Sequence, residues 1–359
     1  SGSLRLFQIV MLLRAMKYRV SFLARNGGNQ EVYRRQLESL GVTVYATDPE
    51  KMAQLGWLTQ APPIDLARIL ADCDVAWLSF FDIAEQYLPD IRRLSPKTKI
   101  LIDTVDVHFL RESREAELSG DPKAALRAQK TRARELSIYG QADTVLTVTD
   151  ADAAVLREAG LQTPTRVIPN IHETIANTPD YTAREGLLFV GNFNHPPNID
   201  AIVWFCESIL PRLNAIHPGI PLTIVGTNPP AQVQSLASEQ IRVTGWVPKT
   251  EPYVQSARVS IAPLRVGAGM KGKIGEALAH GLPVVTTRIG AEGMGLQHGR
   301  EILLADDPES FAQEILRLYQ DPELWRTLAA NGRNFIESRF GFTAVIPKLQ
   351  ALLPSQAVS

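Results

Sequence analysis

The chain has 359 residues, 45% of them apolar, with 37 Lys and Arg against 38 Asp and Glu and a formal net charge of −1. That length is long for one hydrophobic core and suits two domains, while the charge balance excludes a general polyanion-binding surface, so no nucleic acid is expected and any anion site must be local. The two cysteines, Cys73 and Cys206, lie far apart in no metal-ligand spacing, which gives no disulfide framework and fits a reducing, cytoplasmic compartment.

The chain opens on SGSLRLFQ, a turn leading directly into a helix with no strand before it. The N-terminal sheet is therefore expected to start one strand short, or the chain is a segment whose preceding strand lies elsewhere, and Ser1 and Gly2 are either native or a cloning remnant. The stretch LRLFQIVMLLRAMKYRV is interrupted by Arg5, Arg14, Lys17 and Arg19, so it reads as an amphipathic helix entering a strand, not as a membrane span or signal peptide.

Strands are expected at 19–25, 42–47, 75–79, 99–104 and 144–150, with helices between them, the longest a segment rich in Arg and Glu over roughly 111–139. After 185 the apolar runs fall at 186–192, 222–226, 241–245, 259–264, 283–287 and 302–306, again alternating with helices. That alternation is the pattern of parallel sheets covered by helices. IPNIHETIANTPDYTARE (168–185) lacks aliphatic periodicity and is rich in Pro, Asn and Thr, so the linker is placed there. The domains are then 1–167 and 186–340, with a helix over 341–359 that can return to the first.

One loop concentrates the chemistry. After the run VSIAPL comes RVGAG, then a helix MKGKIGEALAH stopped by Gly281 with Pro283 beyond. A strand handing over to a helix presents unpaired N–H groups at the carboxyl edge of a sheet, so Gly267 and Gly269 can admit a diphosphate while Lys271 and Lys273 neutralise it. Glu276, further along, can accept ribose hydroxyls. The plain alternative is a tight turn with two solvated lysines. The absent Gly-Lys-Ser/Thr ending excludes a Walker loop.

At these residues the sequence resembles the family 4 glycosyltransferases. The resemblance rests on PLRVGAGMKGKIGEALAHGLPVVTT, GAEGM, LLFVGNFNHPPNIDAIVWF, LTIVG, VTGWVP and VIPN, and in the first half on SGSLRLF and DTVDVHFLRESREAEL. It implies the GT-B fold, two Rossmann-like doubly wound domains facing across a cleft, and retaining transfer of a sugar from a UDP- or GDP-linked donor to a carbohydrate, lipid-linked or small-molecule acceptor. It implies no metal and no cofactor beyond that donor. Carried over residue by residue, Glu276 matches the second of the family's paired glutamates while Ala268 stands where the first is expected. Asn192 and Asn198 replace the usual Arg and Lys, so Lys271 and Lys273, helped by Arg265, are expected to supply the charge, with His195 a further donor-side candidate. Asp106 and His108 match the loop facing the donor sugar and are expected as catalytic with Lys273, and Gly2 and Ser3 match an acceptor-side loop.

Three alternatives stay open. His108 and Asp106 can be an ordinary loop histidine and a helix cap. The chain can be an inactive nucleotide-binding or scaffolding module, as Ala268 and the missing strand suggest, or an epimerase of the same fold. His217 and His280 read as helix C-terminal residues and His298 as a loop residue, with no metal-ligand or nucleophile motif. The basic N-terminal helix and segment 111–134 suit either peripheral contact with the inner face of a membrane or a charge-laced solvent face.

Overall fold

The computed structural model describes residues 2–24, 31–46, 65–267 and 269–354. They form two units: Ser1–Val107, Lys130–Ile171 and Ile346–Ser359 make the first, and His108–Gln129 and His172–Val345 the second. The change of unit falls at Ile171/His172, inside the expected linker, and segment 108–129, expected with the first domain, groups with the second.

The chain begins in α1 (Gly2–Ala15), so Gly2 and Ser3, expected as a loop, are the first turn of a helix. Then come β1 (Ser21–Ala24), α2 (Glu31–Ser39), β2 (Thr43–Ala46), α3 (Leu66–Ala71), β3 (Val75–Ser79), α4 (Phe81–Leu94) and β4 (Lys99–Asp103). The segment expected as one long helix is two, α5 (His108–Ser119) and α6 (Pro122–Tyr139). Gly120 takes a φ of 63° and the Asp121 carboxylate accepts from the Lys123 and Ala124 amides, so a left-handed stop meets an N-cap with Pro122 behind it. β5 (Thr144–Thr147), α7 (Asp150–Glu158) and β6 (Thr165–Val167) follow, the last a strand the sequence pattern did not suggest.

In the first unit β1 pairs in parallel with β2, and β3-β4-β5-β6 form a separate parallel sheet in that order. Its middle is apolar and buried, with Ile100, Leu101, Ile102, Val145 and Leu146 all at 0% exposure. Two non-glycine residues with positive φ lie just past strand ends at the carboxyl edge: Phe80 after β3 at 72° and Val105 after β4 at 57°. An aromatic and a β-branched residue held there cost roughly 1–3 kcal/mol each, a strain that clusters at ligand edges.

The basic residues of α1 do not form a cationic outer face. Arg5 is 2% exposed and pairs with Asp103, and Arg14 donates to the carbonyls of Leu40 and Tyr18. That removes two of the four charges of the N-terminal stretch that suited either contact with a membrane or a charge-laced solvent face. No helix among the described residues is long and apolar enough to cross a membrane.

The second unit holds β7 (Leu187–Val190), α8 (Pro196–Trp204), a π-helical turn over Phe205–Ile209, α9 (Leu210–Ile216), β8 (Leu222–Val225), α10 (Ala231–Gln234), β9 (Ile241–Gly245) and α11 (Glu251–Ser256). It continues with β10 (Val259–Ala262), α12 (Gly272–Ala279), β11 (Val284–Thr286), α13 (Arg288–Ala291), β12 (Leu303–Leu304), α14 (Pro308–Gln320) and α15 (Pro322–Phe340), and α16 (Phe342–Gln350) starts in this unit and belongs to the first from Ile346 on. Every strand expected after 185 is present. The order β12-β11-β10-β7-β8-β9, all parallel, is the doubly wound order 3-2-1-4-5-6 read from the other end. Phe189, Ile202, Phe205, Ile261, Phe311 and Leu328 anchor a core that spans the sheet and its helices. Here the strand order reverses between β7 and β10, the switch point at which sheets of this kind form a ligand-binding crevice past the carboxyl ends of the strands.

Candidate donor site

Both loops bordering that crevice carry residues singled out in the sequence. On the β7 side the backbone is too tight for side chains: a Cβ at Gly226 would lie 1.7 Å from the Gly191 carbonyl oxygen. This close approach fixes the path into Asn192, whose Oδ1 accepts from the Asn194 amide at 3.0 Å and whose carbonyl accepts from Asn198 Nδ2 at 2.7 Å. Asn198 is thereby oriented with its oxygen available, and Lys273 Nζ donates to that oxygen at 2.7 Å.

On the β10 side, Gly267 (φ 133°) and Gly269 (φ 68°) shape the loop, and Lys271 is the N-cap of α12 with its Nζ donating to the Gly269 carbonyl at 2.7 Å. Ala268 lies outside the described residues. Lys273, in the first turn of α12, places its ammonium 4.2 Å from the Phe189 ring centroid. Burial first, and the neighbouring Lys271 second, push its pKa down to about 7. Two lysines thus stand at the N-terminus of α12, one of them poorly solvated, where backbone N–H groups and the helix dipole favour an anion.

The other candidates separate. Glu276 sits on α12 and accepts a hydrogen bond from Thr250 Oγ1, which reaches over from the loop after β9. Arg265 forks onto the Asp200 carboxylate and lies 5.2 Å from the Trp204 ring, so its charge is balanced on α8 and does not add to that of the lysines. His195 is the N-cap residue of α8 without a side-chain capping bond. Asp106 follows the strained Val105, its amide donating to the Thr104 carbonyl at 2.6 Å, and His108 begins α5, so the change of unit at Val107/His108 falls between them. Asp103, in the same segment, is spent on Arg5, on Trp77 Nε1 and on the Val105 amide. His217 and His280 are C-cap residues, as expected. Among the described residues no group of three or more His, Cys, Asp or Glu is placed to hold a metal ion.

Sequence reasoning did not single out Arg114 and Glu292, which meet beside the glycine loop, nor His172, which backs α12. A Cβ at Gly275 would lie 2.2 Å from His172 Nε2. Burial, with His280 adding to it, lowers the His172 pKa to about 4, so the ring is neutral in the folded chain. Gly275→Ala is expected to destabilise the second unit by about 1–3 kcal/mol through overpacking, and His172→Ala in that background to restore much of the loss. Thermal melts of the three proteins check this, and a Gly275→Ala variant melting like the parent would contradict it. Because His172 has a folded pKa below its unfolded one, the unfolded chain takes up the proton first, and this stabilisation is lost as pH falls from about 6.5 towards 4.

Residues 184–321 match the family described as Glycosyl transferases group 1. An uncharacterized 44.6 kDa protein in the cps region of Klebsiella pneumoniae is 28% identical over 163 residues, 43% of this chain and 42% of that protein. The putative glycosyltransferase YtcC of Bacillus subtilis is 35% identical over 83 residues, 22% of this chain and 20% of that one. The chain thus matches less than half the length of either relative. Among solved structures, HepE of Anabaena in complex with UDP-glucose superposes with a TM-score of 0.70 at 14% identity, covering 98% of this chain and 97% of that one. Sucrose-phosphate synthase of Thermosynechococcus elongatus superposes with a TM-score of 0.65 at 18% identity, covering 93% and 98%. The fold is that of the GT-B glycosyltransferases, and the segment 184–321, which contains both loops of the crevice, is the part of the chain that is similar to the group 1 glycosyltransferases.

Proposed function

We propose that the protein is a retaining glycosyltransferase of family 4 that takes a sugar from a UDP- or GDP-linked donor and passes it to a carbohydrate or lipid-linked acceptor, without a metal, at the cytoplasmic side of a membrane or in the cytoplasm. The observation that carries this is the pair Lys271 and Lys273 at the start of α12, beside the crevice where the order of strands reverses. The match to a glycosyltransferase family and the UDP-glucose bound by HepE support it.

In this scheme the diphosphate lies against the N-terminus of α12, and Lys271 and Lys273 stabilise the charge that develops as the nucleotide leaves, which is electrostatic catalysis. Glu276, held by Thr250, accepts the ribose hydroxyls. Asp106 and His108 orient the sugar and polarise the acceptor hydroxyl, whose proton passes to the departing phosphate oxygen on the face of attack. His195 and Asn192 line the sugar side.

A thermal-shift panel of UDP, GDP, ADP and dTDP with their sugars tests the donor assignment. A nucleotide at about a hundred times its Kd adds roughly 2.7 kcal/mol, a rise of several degrees for a domain of this size, and the rise is expected to survive EDTA. No shift with any member would sink the proposal. A shift without hydrolysis or transfer in any acceptor mixture would favour the nucleotide-binding module.

A further inference from the structure

Arg114 on α5 and Glu292 just after α13 have no part in the scheme above, yet they meet at the glycine loop. Arg114 Nη1 and Nη2 donate to the two Glu292 carboxylate oxygens, each at 2.8 Å, and Nη1 also donates to the Gly267 carbonyl at 2.9 Å. The short helix α13 that ends at Glu292 is itself fastened at its start to the end of β10, because Thr286 Oγ1 donates to the Ala262 carbonyl at 2.8 Å and Thr287 Oγ1 to that of Leu264. A ring of contacts therefore runs from β10 through the β11–α13 turn, Glu292 and Arg114 back to Gly267. Gly267 and Gly269, at φ 133° and 68°, lack the side chains that would restrict their backbone, so contacts from outside help to fix it. A planar guanidinium bonded to three oxygens does this in a way an ammonium cannot copy. The Arg114 bonds, and then Lys271, also hold the Glu292 carboxyl below the usual carboxylate range, so the pair is ionic at neutral pH.

The geometry points to Arg114 and Glu292 as positioning residues that pre-form the glycine loop for a nucleoside diphosphate, an inference that rests on the donor-site assignment above. It has a sign that separates it from simple electrostatics. If Glu292 acted only as a negative charge near Lys271, neutralising it would tighten the binding of an anion; as half of a clamp, its neutralisation weakens binding.

Calorimetric titration of the full chain with UDP and with GDP, on the parent, Arg114→Lys, Arg114→Met, Glu292→Gln and the Arg114→Met/Glu292→Gln double variant, tests it. Each single variant, Arg114→Lys included, is expected to bind about 10-fold more weakly, since the loop's ordering cost is moved to the binding step. The double variant is expected to be no weaker than the worse single one, as befits two residues acting as a unit. Melting of the unliganded variants should move little, because both side chains are about one-third exposed, at 35% and 37%. Tighter binding by Glu292→Gln with weaker binding by Arg114→Met would overturn the clamp in favour of bare charge, and unchanged affinities would overturn it outright. A parent chain that binds neither nucleotide would instead sink the donor-site assignment.

Discussion

Lys273→Ala is expected to lower sugar transfer by about 10²–10³-fold, the range lost when one donor aimed at developing charge is removed. The fold is retained because the ammonium is buried but its side chain as a whole is partly exposed, and removing a poorly solvated cation lifts a desolvation cost. Its ammonium sits between the Phe189 ring and the Asn198 oxygen, and burial together with Lys271 lowers its pKa to about 7. The sign of the pH effect follows. In the unliganded chain Lys273 is largely neutral at pH 8.5, and a bound diphosphate pulls its pKa up. If the nucleotide sits where proposed, its binding at that pH is expected to take up a proton, and affinity to fall by up to about tenfold per unit as pH rises above 7. Below 7 this contribution is flat. The same depression means that the unliganded fold gains stability from this group as pH rises from about 7 towards its unfolded value of 10.5. Titrations of a nucleotide sugar in two buffers of different ionisation enthalpy count the proton. A count near zero for the parent, or an equal count for Lys273→Met, would remove Lys273 from the phosphate site.

Two kinds of feature were legible in the sequence, and both are local. Strands buried on both faces of a parallel sheet are continuous apolar runs, which is why LLFV, LTIV and VSIA stand out and the second sheet could be listed strand by strand. The glycine loop announced itself because strand, Gly, Lys and helix follow one another without interruption. What was hidden depends on partners distant in the chain. Arg114 lies in HFLRESREAEL, which reads as a charged solvent face, and its partner Glu292 is 178 residues away. Arg265 was legible as a cation, but Asp200, 65 residues away, neutralises it. TRV, the three residues of β6, is too short to show a period, and the stop at Gly120 was masked by charge patterning that continues across it. Arg5 misled for a related reason: an arginine in a basic helix is normally solvated, and only the fold places Asp103 beside it.

Asp103→Ala tests that last contact and divides structural from catalytic carboxylates in the segment Asp103–His108. Arg5 Nη1 meets Asp103 Oδ2 at 2.5 Å with both side chains 1% exposed, and the same carboxylate accepts from Trp77 Nε1 at 3.1 Å and, through Oδ1, from the Val105 amide at 3.2 Å. The remaining guanidinium bonds go to the Ile168 and Pro169 carbonyls, which carry no full charge. Removing the carboxylate strands a buried cation, at a cost of about 3–5 kcal/mol. At 2–4 °C per kcal/mol, the transition that unfolds the first unit should fall by roughly 6–20 °C. Because the Val105 amide hangs on Oδ1, the strained turn loosens with it, and Asp106 loses its placement. Asp103→Asn keeps one carbonyl oxygen, enough for Trp77 or for the Val105 amide but not both, and loses the charge, so it falls between the two. Arg5→Met with Asp103→Leu is expected to recover much of the stability, since an apolar pair can replace a buried ion pair at little cost. Asp106→Asn, in contrast, is expected to depress turnover by more than any change in the melt accounts for. If Asp103→Ala melts with the parent and only its turnover falls, Asp103 belongs to the chemistry and Arg5 is its activator, which would move the centre of the first unit's site from Asp106 to the end of β4.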